Sequence, residues 1–132
     1  MENEPGQRDT KVAEVVRLSV PGSLEYVRVV RLTAAAVAAR FGFDVEEIED
    51  LRVAVDELAS VVIEAGHGGD IAFTFTSLVD TFVVEGSGPV DGQPVLDDLT
   101  RQILTAVVDA FEISAVDGVA HFRAAKRSTK VV

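Results

Sequence analysis

Residues 44–66, "DVEEIEDLRVAVDELASVVIEAG", constrain the fold more than any other part of the chain. Ile48, Leu51, Val55, Leu58, Val62 and Ala65 recur at intervals of three and four, the pattern of a helix with one buried stripe. Asp44 followed by Glu47 resembles a capping box, in which two side chains satisfy the first free N–H groups of a helix. One residue disturbs the pattern. Glu57 stands in a row with Val53, Ala54 and Val61, a carboxylate on an apolar flank. Either it edges a buried stripe or it marks a chemical position.

The rest of the chain supplies partners for such a helix. "KVAEVVRLSV" is rich in β-branched residues and predicts a strand over 12–20, which "PGS" then breaks. Ser23 is placed to cap a helix running to about Arg40. Its apolar positions are Leu24, Val27, Val30, Ala34, Val37 and Phe41, and Gly42 closes it. After residue 66, "IAFTFTSL" alternates apolar and polar residues, "TFVVE" does so less cleanly, and Val79-Asp80 between them predicts a hairpin. "GSGPVDGQP" reads as a loop from its glycine and proline content. Residues 95–109 read as helix, and "FEIS" and "VAHFRA" as a second hairpin across "AVDG".

The resulting order, β-α-α-β-β-α-β-β, predicts an α+β fold. It is a two-layer sandwich of a mixed, mostly antiparallel sheet with helices on one face. The expected organisation is one domain over 11–127, with an N-terminal tail over 1–10 and a C-terminal tail over 128–132.

Composition narrows the chemistry. With no cysteine in 132 residues, thiol catalysis, disulfides and zinc–thiolate sites are excluded. Only His67 and His121 offer imidazole, far apart in sequence, so no metal–histidine site is expected. No apolar run reaches the roughly 18 residues of a membrane span. "MENEPGQRDTK" lacks a signal-peptide apolar region, so a cytoplasmic protein is expected. The net charge is −10, and residues 42–118 carry Arg52 and Arg101 as their only Lys or Arg among many acids. Nucleic-acid binding needs a basic stripe and is disfavoured. The acidity serves either solubility or a basic protein partner.

The stretch "SLEYVRVVRLTAAAVAARFGFDVEEIEDLRVAVDEL" closely resembles the N-terminal half of bacterial anti-sigma-factor serine kinases, with weaker likeness to about residue 126. These share the ATPase fold of histidine kinases and gyrase. The resemblance implies that fold, homodimers, and two partners. One is an alternative sigma factor held away from RNA polymerase. The other is an anti-anti-sigma antagonist of the STAS type, which releases the sigma factor and which the kinase phosphorylates on serine.

The same resemblance locates a nucleotide site. Its second helix carries a glutamate that orients the attacking oxygen, and Glu57 matches it. The magnesium-binding asparagine four residues on falls on Val61, which has no oxygen for a hard cation. The aspartate that reads adenine falls on Gly86, while the glycine two residues later is kept as Gly88. Glu85 is expected on the opposite face of the strand and Asp91 in the loop. The phosphate-cradling glycines fall on Asp97, Asp98 and Thr100, after a short "PVDGQP" where a glycine-rich lid is expected. At about 4 Å a like-charge contact costs ~1 kcal/mol in water and several near a protein surface, so these aspartates oppose a triphosphate. No lysine lies between residues 12 and 125 to offset them.

No cofactor is therefore expected, with Mg-ATP the group to look for if the site works. Arg28 matches a partner-docking arginine of the family, and Arg31 lies one turn on. The resemblance implies an anti-sigma factor acting by sequestration. Its rival is an active serine-protein kinase using Glu57 as base, with Glu85 or Asp91 as substitutes. A third reading is a sensor or scaffold module on the same fold.

Overall fold

The computed structural model describes residues 14–129; Val12, the tail before it and residues 130–132 lie outside that range. The elements are β1 (Glu14–Val20), a 3-10 turn (Leu24–Tyr26), α1 (Val27–Phe41), α2 (Val45–Ala65), β2 (Ile71–Ser77), β3 (Thr81–Pro89), α3 (Asp98–Val107), β4 (Ala110–Val116) and β5 (Val119–Arg127). The five strands form one sheet in the order β1-β2-β3-β5-β4. All four pairings are antiparallel, so the sheet is not mixed.

Helix α2 is the axis of the packing. Its 21 residues start at the capping box read from the sequence. The Asp44 side chain accepts from the Glu47 amide at 2.8 Å, and the Glu47 side chain accepts from the Asp44 amide at 2.9 Å. Leu51, Ala54, Val55, Leu58, Ala59 and Val62 are buried. They meet the sheet face carrying Phe73, Phe75, Phe82 and Phe122, all buried. Losing one such phenyl group typically costs about 3–5 kcal/mol. Helix α1 buries Val27, Val30, Ala34 and Ala38, and ends where Gly42 takes a φ of 110°, a conformation that favours glycine.

Several boundaries differ from the sequence reading. Ser23 makes no side-chain cap, because a 3-10 turn precedes α1. Strand β3 runs on to Pro89 through residues read as loop. Gly86 and Gly88 do not end it, because Gly86 is paired on both sides, with Phe73 and Phe122, and Gly88 is paired with Ala120 of β5. Helix α3 is shorter than 95–109, since the Asp97 side chain caps it by accepting from the Thr100 amide at 2.8 Å. The last hairpin turns on Asp117 and Gly118 alone, both at positive φ, so Ala115 and Val116 belong to β4.

The face of the sheet away from the helices carries a row of Arg17, Thr74, Glu85, Arg123 and Glu112 in register. The C-terminal residues return to α2. Thr129 donates its amide and hydroxyl to Glu47 Oε2 at 3.2 and 3.0 Å, and Glu47 is only 6% exposed. Lys126 Nζ donates to the Val107 carbonyl at 2.9 Å, neutralising the C-terminal end of α3. Ser128 and Thr129, placed by sequence in a tail, are thus fixed by hydrogen bonds to Asp80 and Glu47. Among the described residues, no helix is long and apolar enough to cross a membrane.

Candidate functional site

Glu57 and Val61 lie one turn apart on α2, both half-buried. Across from them stands the start of α3. Thr100 Oγ1 donates to Glu57 Oε1 at 3.4 Å, a long bond that nonetheless sets the two helices face to face here. Thr100 also gives its amide to Asp97. That amide, and then the Thr100 hydroxyl, hold the Asp97 carboxyl below its ordinary range. The hydroxyl has one proton, so Glu57 and Asp97 compete for it. Asp98 is exposed in the first turn of the same helix. The structure therefore brings Glu57, Val61 and Thr100 together, with Asp97 at the rim.

Gly86 and Gly88 are buried on the helix-facing side of β3. A Cβ on Gly86 would strike Phe122, coming within 2.6 Å of its Cζ. The Phe122 ring thus covers the glycine, with Phe73 edge-on beyond it at a centroid distance of 6.1 Å. A Cβ on Gly88 would come within 2.8 Å of Ile71 Cγ1 and 3.5 Å of Val62 Cγ1, so that position is closed against α2 as well. Glu85 lies opposite Arg123 on the other face of the sheet, as the strand period requires, and cannot reach this region.

The segment between β3 and α3 is fastened along its length. The Val90 amide donates to the Gly118 carbonyl at 2.9 Å, and the Asp91 amide to the Ala65 carbonyl at 2.8 Å. The Gln93 side chain binds the peptide edge of β4 at Ala115 in both directions, at 2.7 and 3.1 Å. Asp91 sits 3.3 Å from His67 Nδ1, with both side chains largely exposed. Among the described residues, no group of three His, Cys, Asp or Glu side chains is placed to hold a metal.

The chain's residues 20–112 match the family model described as the histidine kinase-like ATPase domain. This chain belongs to that family, in its RsbW-type branch. It is 27% identical over 128 residues to the serine-protein kinase RsbW of Halalkalibacterium halodurans, covering 80% of this chain and 79% of that protein. It is 30% identical over 108 residues to the RsbW of Bacillus pumilus, covering 75% and 67% respectively. The crystal structure of the RsbU and RsbW domains of Rv1364c from Mycobacterium tuberculosis matches 90% of this chain and 35% of that one. Its TM-score is 0.67 at 16% identity, which supports the fold.

On the RsbW-type fold, α1 displays Arg28, which is exposed, and Arg31, which is half-buried. Neither makes an ion pair with any described residue. Sequence reasoning missed Phe122, whose alternation in "VAHFRA" marked it as inward-facing but could not place it over Gly86. It also missed Gln93 and the bond from Thr100 to Glu57, which depend on how α3 returns to α2.

The Gly86 geometry yields a direct expectation. Gly86→Asp places a carboxylate against the Phe122 ring and should destabilise the fold by about 2 kcal/mol or more, from overpacking and from burying a charge. Urea denaturation of the two proteins reads the difference; equal midpoints would mean the ring does not hold that space.

Proposed function

We propose that this chain is an anti-sigma factor acting by occupancy. It holds an alternative sigma factor from RNA polymerase and releases it to an anti-anti-sigma antagonist, without using its own nucleotide site. The observation that carries this reading is the Phe122 ring over Gly86, where the family's adenine-reading aspartate would stand. Val61 adds to it, since a hydrocarbon cannot ligate magnesium. The fastened segment from Val90 to Gln93 adds further, because a phosphate lid has to open and close. The residues present therefore do not fit Mg-ATP, and no phosphotransfer step is assigned to them. One residue favours the kinase reading, Glu57, which the resemblance matches to the family's catalytic glutamate.

The family's docking role falls on Arg28, an exposed guanidinium suited to bidentate pairing with a partner carboxylate. We also propose a homodimer through the β1 edge of the sheet. Strand β1 is terminal in the sheet, and an edge strand presents unpaired N–H and C=O groups. Val16, on its helix-facing side, is 38% exposed. Val29 is 42% exposed on the flank of α1 that also carries Arg40, which reaches Glu14 of β1 at 3.1 Å.

Three variants test this reading. Arg28→Glu should abolish binding of the cognate sigma factor while leaving the thermal midpoint near wild type; unchanged affinity removes Arg28 from the docking surface. Glu57→Gln should leave inhibition of sigma-dependent transcription intact, whereas lost regulation in a folded protein would favour the kinase. In sedimentation, wild type should run as a dimer and Val16→Asp as a monomer; a monomeric wild type would refute the seam.

A further inference from the structure

Strand β4 ends the sheet on the side opposite β1. On an antiparallel edge strand, every second residue turns both its N–H and its C=O away from the sheet. Ala115 is such a residue, since both its groups bond the Gln93 side chain, which lies outside the sheet. Ile113 and Phe111, two and four residues earlier, turn theirs the same way. Among the described residues, nothing beyond β4 bonds them.

The Gln93 amide shows what fits this edge. It donates to the Ala115 carbonyl at 2.7 Å and accepts from the Ala115 amide at 3.1 Å, the exchange made by a residue of a neighbouring strand. A side-chain amide has the donor and acceptor of a peptide group. Pro94 follows without an N–H, so the chain's own imitation of a strand ends after one position. On the helix-facing side, Phe111 and Ile113 are only half-buried, while their β5 neighbours Ala124 and Phe122 are buried. One more strand would cover both. Residues 90–118, which bound the edge, carry Asp91, Asp97, Asp98, Asp109, Glu112 and Asp117 against Arg101 alone. Asp91 faces His67, Asp109 faces Arg127 and Glu112 lies opposite Arg123; the rest have no cationic partner among the described residues.

We propose that β4 takes up an extended segment of a basic protein as a sixth strand, bonded through the free edges of Phe111 and Ile113 and stopping at Gln93. Alternate side chains of that segment are apolar and cover Phe111 and Ile113; a Lys or Arg between them lies beside Glu112 on the outer face. A second copy of β4 suits the edge poorly. The register that uses both free residues sets Phe111 against Ile113, and so sets Glu112 against its own counterpart, a destabilising pair of like charges. The inference does not rest on the anti-sigma reading, because the Arg28 surface lies on another element.

The test titrates the full ¹⁵N-labelled chain with the peptide acetyl-Val-Lys-Val-Lys-Val-amide. The backbone amide signals of Phe111 and Ile113 should shift saturably, and their hydrogen exchange should slow. The same peptide with its valines N-methylated, which removes the N–H groups turned toward β4, should not bind. The analogue with glutamate in place of lysine should bind about tenfold more weakly, and Glu112→Gln should weaken the lysine peptide about two- to fivefold. Gln93→Ala should add the Ala115 amide to the signals that shift, because the vacated position then accepts the peptide as well. No saturable shift at millimolar peptide, shifts centred on β1, or equal binding by the N-methylated or glutamate peptide would each overturn the proposal. So would shifts of Phe111 and Ile113 on concentrating the chain alone, which would assign the edge to a second copy.

Discussion

The fold depends on the burial of one stripe on α2. Leu51, Val55, Leu58 and Val62, with Ala54 and Ala59 between them, meet a sheet face paved with phenylalanines. At about 1.5–3 kcal/mol for each large side chain removed from water, the gross gain matches the whole net stability of an ordinary domain, ~5–15 kcal/mol. Helices α1 and α3 and the C-terminal residues all pack on or bond to this helix. Its N-terminus is held twice over, by the capping box and by Glu47 accepting from Thr129. Glu57, Val61 and Arg52 lie on its flanks, outside the stripe. Their identities can change with little cost to the fold, so a shared architecture does not by itself preserve a shared chemistry.

That separation explains what fills the nucleotide region. Where the family places an adenine-reading carboxylate, this chain has a glycine, and the Phe122 ring takes the vacated space as core. The segment after β3 is tied to Gly118, Ala65 and Ala115, so it acts as a strap joining β4, α2 and α3. On the proposed reading, Gly86 and the Val90–Gln93 segment serve the fold and not a nucleotide. On that reading, the surfaces left for function are the first helix and the free edge of β1.

What the sequence disclosed follows the range of the interactions concerned. The capping box at Asp44 and Glu47, the stripe on α2 and the stop at Gly42 depend on residues within one helical turn, and all were legible. The continuation of β3 through Gly86, Ser87, Gly88 and Pro89 was not, because glycine and proline read locally as loop. Only the register with Phe73 and Phe122 makes that segment a strand. Arg31 was visible as a docking candidate through the family resemblance. The resemblance could name positions for the family's nucleotide contacts as expectations, but not what surrounds them in the fold.

The most direct test of the central claim is titration of the full chain with Mg-ATP by calorimetry, paired with a thermal melt at 1 mM nucleotide. The account predicts no measurable heat and no shift in midpoint. A dissociation constant near 1 µM would instead stabilise the fold by about 4 kcal/mol at that concentration, and such a result would contradict it.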